Sequence, residues 1–129
     1  MASENYEIAL KRIREAKKNH LRYLDLSFLE LVEIPHEIRE LNFLMDLDLS
    51  YNNLNILSDE IYSLDNLHYL NISNNNLSDL NFMLGRAYSF KEINISNNQF
   101  NFIPSSLLKI GVSHILYENN LFLTIYLTN

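Results

Sequence analysis

The stretch LMDLDLSYNNL, residues 44–54, decides the fold of this chain because its pattern returns at an almost constant spacing. Matching rows begin at residues 21, 67, 90 and 112 and read LRYLDLSFLEL, LHYLNISNNNL, FKEINISNNQF and VSHILYENNLF. The spacing is 23 residues, and 22 for the last row. A fixed period of about 20 to 50 residues indicates a solenoid, in which similar units stack along one axis.

Each row predicts one short strand and a return segment. In Leu47-Asp48-Leu49 apolar and polar residues alternate, which is strand periodicity. A single row cannot bury its leucines, so neighbouring rows must stack, with their strands side by side in a parallel sheet. Ser58 is the predicted start of a helical return in row two, and Pro35 and Pro104 occupy the same column, which suits a first helical turn. We therefore predict an α/β fold with five parallel strands centred on residues 24–26, 47–49, 70–72, 93–95 and 115–117.

A column of asparagines follows the strands. A buried side-chain amide at this position can satisfy backbone groups of the neighbouring loop, row after row. We therefore assign the column a structural role, and in row one Leu29 takes its place where that row meets a different neighbour. Its members are Asn52, Asn75, Asn98 and Asn120.

The N-terminal segment predicts a helix that caps the solenoid. Apolar residues recur at three- and four-residue spacing, so residues 3–18 form an amphipathic helix. The end of a solenoid requires such a cover. A basic helix that binds membranes is the weaker alternative, because the apolar face is small and the cap needs it. We expect a single domain, with the capping helix in residues 1–20 and the repeats in residues 21–129.

Composition narrows the class of protein. The chain has 129 residues, no cysteine and a net charge of −6. Absence of cysteine excludes disulfides and cysteine zinc sites and favours a reducing compartment. No stretch of the sequence approaches about 18 uninterrupted apolar residues, so we expect a cytoplasmic protein without a membrane span. Residues 1–20 carry a balance of +2 and the remainder −8. An acidic solenoid repels phosphate, which argues against nucleic acid as a partner.

The rows resemble the leucine-rich repeat family, whose pattern is L-x-x-L-x-L-x-x-N-x-L. The segments IPHEI and IPSSL are similar to the intracellular subclass, and EIALKRIREAKKNHLRYLDLS is similar to the start of bacterial leucine-rich repeat proteins and of the repeat regions of Roco proteins. The resemblance implies a curved solenoid whose concave face of strands binds other proteins. It implies no cofactor. The chain has no P-loop, so no GTPase activity carries over, and without cysteine it cannot resemble the cysteine-dependent ubiquitin ligases appended to some such repeats.

Four columns are predicted to point outward on the concave face, and they contain no lysine or arginine. They begin at Tyr23, Asp25, Ser27 and Phe28 and recur in each row. The serine column is an ordinary small residue of the motif and receives no separate function. Aromatic residues beside carboxylates suit a partner that offers Arg or Lys, so we predict a non-enzymatic interaction module for a basic protein. The predicted contact residues are Tyr23, Asp25, Phe28, Asp46, Asp48, Tyr51, Tyr69 and Glu92.

An enzymatic function has little support. Glu92, His114 and Glu118 fall on the last two rows and could converge, and a His among carboxylates can bind metal or act as a base. No nucleophile, glycine-rich loop or second histidine accompanies them, so we predict neither a catalytic nor a metal site.

The C-terminal tail fits the pattern least well. Residues 121–127 read LFLTIYL, without charge and with strong strand propensity, where a solenoid normally ends in a polar cap. Either the tail folds back over the last row or another chain covers it. A self-associating structural solenoid is therefore the alternative function, and we predict a homodimer that packs through residues 112–129. The predicted interface residues are Leu121, Phe122, Leu123, Ile125 and Tyr126.

Overall fold

The computed structural model describes residues 2–82 and 88–121. Within these residues, helix α1 spans Ala2–Asn19 and is followed by one parallel five-stranded sheet. The strands are β1 (Tyr23–Asp25), β2 (Asp46–Asp48), β3 (Tyr69–Asn71), β4 (Glu92–Asn94) and β5 (His114–Leu116), and each pairs with the next in sequence order. The five predicted strands are confirmed, with each shifted by one residue toward the N-terminus. The predicted solenoid with a capping helix is confirmed as well.

The register of the sheet follows the sequence period. Leu24 of β1 pairs with Leu47, Leu47 with Leu70, and Leu70 with Ile93. These side chains are buried, and so are the apolar residues two positions further on, such as Leu26 and Leu49. Burying each one contributes roughly 1.5–3 kcal/mol, so the columns of one residue type form a continuous core.

Short helical segments return the chain between strands. A 3-10 helix spans His36–Glu40, α2 spans Asp59–Tyr62 and α3 spans Ser105–Lys109. Pro35, Ser58 and Pro104 stand immediately before them. The predicted helix starts in these three return segments are therefore confirmed.

The asparagine column forms the predicted hydrogen-bonded ladder. The Oδ1 of Asn75 accepts a hydrogen bond from the backbone N–H of Leu54 at 3.0 Å, and its Nδ2 donates to the carbonyl of Leu49 at 3.0 Å. Asn52 accepts from the N–H groups of both Leu29 and Leu31. Leu29 is therefore buried at the ladder position of row one. Asn52 of row two makes the hydrogen bonds to the loop of row one instead.

Helix α1 covers the first repeat. Ala9, Ile13 and Ala16 are buried on the face that packs against it, and the Arg12 guanidinium donates a hydrogen bond to the carbonyl of Asp25 at 2.9 Å. Lys17 adds an ion pair with Glu40 at 2.5 Å. Among the residues described, no helix is long and apolar enough to cross a membrane.

Candidate protein-binding surface

The first outward column of the sheet alternates aromatic and acidic residues. Parallel pairing places Tyr23 beside Asp46, Asp46 beside Tyr69, and Tyr69 beside Glu92. Both tyrosines are about half exposed, at 51% and 44%. The equal spacing of the repeats therefore brings together four of the predicted contact residues.

A shallow groove of about 230 Å³ runs along this column. Its lining includes Asp46, Asp48 and Glu92 but, within the described part of the chain, neither lysine nor arginine. Partial burial, reinforced by the neighbouring Asp48, raises the pKa of Asp46 above its ordinary value. Burial also raises the pKa of Tyr23, with Asp25, Asp48 and Asp46 adding to the effect. The groove is thus a region of negative potential.

The second column has a structural role in addition to its position on the surface. The Oδ1 of Asp48 accepts hydrogen bonds from the backbone N–H of Ser50 at 2.9 Å and from its hydroxyl at 2.6 Å. Asp25 makes the same pair of bonds to Ser27. These carboxylates therefore hold the turn that ends each strand, and their predicted role in partner binding stays a prediction.

The serine column does not lie on the open surface as predicted. Ser50 and Ser73 are buried, at 4% and 5% exposure. The prediction is wrong for these two residues because the turn held by the preceding Asp or Asn draws each hydroxyl inward.

The fourth column forms one rim of the sheet and has an unusual backbone conformation. Its five residues have φ between 56° and 58°, in the left-handed region that asparagine tolerates better than most residues. The last three are Asn74, Asn97 and Asn119, but the first two are Phe28 and Tyr51. Their rings stack with centroids 4.2 Å apart and planes within 9°, and Phe28 is 70% exposed. The pair is a flat apolar platform on the surface.

Arg12 is a cation beside this surface that the repeat pattern does not reveal. It lies in α1, yet it lines a depression together with Tyr23 and Asp25. The acidic character is therefore strongest on the second to fourth repeats, away from the capping helix. Helix periodicity alone could not locate this contact, because it depends on how α1 packs against β1.

The last repeats carry one contact between a histidine and a carboxylate. Nδ1 of His114 lies 3.2 Å from Oε1 of Glu92, and both side chains are substantially exposed. In residues 2–82 and 88–121, no group of three or more His, Asp or Glu side chains is placed to hold a metal ion.

The C-terminal end of the solenoid exposes apolar residues. Leu121 is 54% exposed, Leu108 60% and Tyr117 40%. Ile115 of β5 is only half-buried, whereas its counterparts in the four preceding strands are buried. The other predicted dimer residues, Phe122, Leu123, Ile125 and Tyr126, lie outside the described residues.

Comparison with known proteins identifies the class. Residues 3–108 match the family described as "Leucine-rich repeat region", so the chain belongs to the leucine-rich repeat family. The family resemblance predicted from the rows is confirmed. Membership supports a general role as a protein-interaction module.

A solved structure with the same fold is described as "Structure of Shigella effector LRR domain". It aligns with a TM-score of 0.56 and 22% sequence identity, over 88% of this chain and 56% of that chain. The present chain thus spans little more than half the length of that structure. No curated protein matches the sequence.

Proposed function

We propose that this protein is a non-enzymatic interaction module that binds a basic protein partner through the concave face and rim of its sheet. The observation that carries the proposal is the exposed, stacked Phe28–Tyr51 pair at backbone positions that disfavour aromatic residues. We assign the binding to the cytoplasm on composition, because a chain without cysteine suits a reducing compartment. The proposed contact residues are Tyr23, Asp25, Phe28, Asp46, Asp48, Tyr51, Tyr69 and Glu92.

The aromatic pair contributes little to folding. A left-handed conformation costs roughly 1–2 kcal/mol for a residue with a Cβ atom, and Asn74 in the next repeat adopts it with a residue better suited to it. Because Phe28 is mostly exposed, burial of its ring in the core does not offset this conformational cost. Strained backbone positions concentrate at ligand-binding sites, and aromatic residues dominate the energetics of protein interfaces.

The charge of the face indicates the chemistry of the partner. Asp46, Asp48 and Glu92 line the groove, and an acidic groove attracts basic partners and accelerates their association. Lysine and arginine also pack well against tyrosine rings. A basic, partly apolar segment of a protein therefore complements both the groove and the aromatic rim.

Selection from a random-peptide phage library tests the proposal, because the library offers the chain peptides of every charge and apolar content. We expect the wild-type chain to enrich peptides that combine Arg or Lys with apolar residues. A selected peptide should lose its affinity for Asp46→Lys/Glu92→Lys and for Tyr23→Ala/Tyr69→Ala, while both variants keep nearly the wild-type Tm, because neither touches the Asp48 carboxylate that holds the turn after β2. Binding should also weaken with added salt.

Glu37→Lys/Asp65→Lys is the matched control, because it makes the same change of charge on the return segments. It should retain binding. Loss of binding in this control but not in the groove variants, or selection of peptides without basic residues, would contradict the proposed surface.

A second candidate function, self-association, is favoured by the exposed C-terminal end. Leu108 and Leu121 present apolar surface there, and in the described residues no strand pairs with the outer edge of β5. An open strand edge is a template for pairing with another chain. We propose a two-fold homodimer through residues 112–129 as this alternative.

Light scattering coupled to gel filtration, at increasing protein concentration, tests the homodimer. Tyr117→Asp/Leu121→Asp, two exposed residues within 112–129, should shift a dimer to monomer. Ile56→Asp, which changes another exposed apolar residue in the second return segment, should not. A wild-type chain that stays monomeric and soluble in low and high salt excludes the dimer.

A further inference from the structure

The alternation of Tyr23, Asp46 and Tyr69 on three neighbouring strands creates a slot with a carboxylate between two aromatic residues. Strands lie about 4.8 Å apart, so the two tyrosines stand about 9.6 Å apart at the backbone. A planar group lying between two rings needs about 7 Å, which is two contact distances of about 3.5 Å. Both tyrosines line one shallow groove together with Asp46. The backbone separation therefore leaves room for one flat side chain between the two tyrosines.

The carboxylate at the base of the slot lacks a compensating charge. Over the described ranges, the Asp46 carboxylate has neither a hydrogen-bond donor nor a cation as a partner. It is half-buried, and Asp48 lies beside it. Partial removal of a carboxylate from water is unfavourable unless a donor or a cation replaces the water. A cation supplied from outside would compensate Asp46 and would also neutralise the repulsion from Asp48.

We propose that this slot receives a single arginine side chain of the partner. This inference rests on the proposed function and specifies which residue of the basic partner enters the groove. The guanidinium is planar, stacks on aromatic faces and binds carboxylates with two parallel hydrogen bonds, and it is less strongly hydrated than an ammonium group. Lysine offers a point charge without a plane, so the two tyrosines favour arginine.

NMR titration of the full isotopically labelled chain tests the slot directly. The probes are three capped tripeptides, acetyl-Gly-Arg-Gly-amide and its analogues with lysine and with citrulline, which has the shape of arginine without its charge. The arginine peptide should shift the backbone amides of Tyr23, Asp46 and Tyr69 in a saturable way, with a Kd on the order of 1–10 mM for so small a ligand. The lysine peptide should bind several-fold more weakly, and the citrulline peptide should cause no saturable shift.

Two groove variants and one control separate the slot from general attraction by the acidic surface. Asp46→Asn, which keeps the shape of the side chain, should weaken the arginine peptide by roughly 10-fold or more. Tyr23→Leu/Tyr69→Leu should remove the preference for arginine over lysine while the charge stays unchanged. Asp59→Asn, an exposed carboxylate of α2, should leave the affinity unaltered. Spectra of each free variant establish that it is folded.

The results distinguish this inference from the proposed function. Absence of saturable binding, equal affinity for the arginine and lysine peptides, or unchanged affinity in Asp46→Asn overturns the slot. If phage-selected basic peptides still depend on Asp46 and Glu92 in that case, the interaction module stands and only the arginine slot fails. If those peptides bind independently of the concave face, both fail.

Discussion

Replacing Phe28 and Tyr51 with asparagine separates binding from folding at the rim of the sheet. Asparagine occupies the same column in the next three repeats, with φ of 57°, 56° and 57°. The double variant therefore extends an arrangement that the chain already contains and introduces no new backbone geometry.

The expected change in stability follows from two opposing terms. Asparagine tolerates the left-handed conformation, so each substitution recovers up to about 1 kcal/mol of the roughly 1–2 kcal/mol that the conformation costs. Loss of the 4.2 Å stack between Phe28 and Tyr51 removes about 0.5–1.5 kcal/mol. Little burial is lost, because the rings are 70% and 49% exposed. The two substitutions together recover up to about 2 kcal/mol and lose about 0.5–1.5 kcal/mol. The free energy of unfolding should therefore change by no more than about 1.5 kcal/mol, which is a change in Tm of no more than about 9 °C.

Circular dichroism melts and affinity for a phage-selected peptide measure the two effects in the same samples. We expect the variant to keep a Tm within about 9 °C of the wild-type value and to bind at least about 10-fold more weakly, because removal of an aromatic anchor commonly costs more than 1 kcal/mol. Ile56→Asn, which removes another exposed apolar residue, should change neither quantity much. A fall in Tm of more than about 9 °C in the double variant would show that the aromatic pair stabilises the fold and that strain at these two positions is not retained for binding.

Three further predictions concern the core, the ladder and the groove. Leu47→Asp places an unpaired carboxylate at a fully buried position and should unfold the chain; a wild-type melting curve for this variant would show that the strand register is wrong. Asn75→Ala leaves the buried Leu54 N–H without its acceptor, whereas the Leu49 carbonyl keeps Asn52 as a donor. The variant should cost about 1–3 kcal/mol in chemical denaturation, clearly more than Asn120→Ala at the half-buried end of the ladder. Asp46→Asn should increase stability at neutral pH, because a carboxyl with a raised pKa favours the folded state at low pH and loses that contribution as the pH rises through its folded pKa. The difference in Tm between the variant and the wild type should therefore shrink toward acid pH and vanish below the ordinary Asp pKa of 3.8. A constant difference in Tm across that range would exclude the raised pKa of Asp46 as the cause.

The repeating part of the fold could be predicted from the sequence because one period fixes strand, register and core together. Once Leu47 is placed inward, the parallel register puts Asp46 beside Tyr23 and Tyr69. The asparagine ladder follows from the same spacing, since Asn75 reaches back one repeat to Leu54.

The remainder depends on local geometry or packing that the period does not encode. The hydroxyl of Ser50 points into a turn held by Asp48, and strand alternation alone placed it outward. The left-handed backbone at Phe28 is indicated in the sequence only by the asparagines that occupy the same column of later rows. Arg12 reaches Asp25 through the packing of α1 on β1, and no repeat unit contains that contact.

The backbone conformation is the same at all five positions of the fourth column, so the surface can be changed by substitution in one repeat at a time. Five positions share the same φ within 2°, so a side chain exchanged at one of them meets the same local geometry as at any other. Evolution can therefore add or remove an aromatic contact at Asn74 or Asn97 with little consequence for the core. Binding specificity can change in this way while the fold stays the same. For protein engineering, the same property marks these two positions as sites where the aromatic platform can be lengthened toward Glu92 and the last strand.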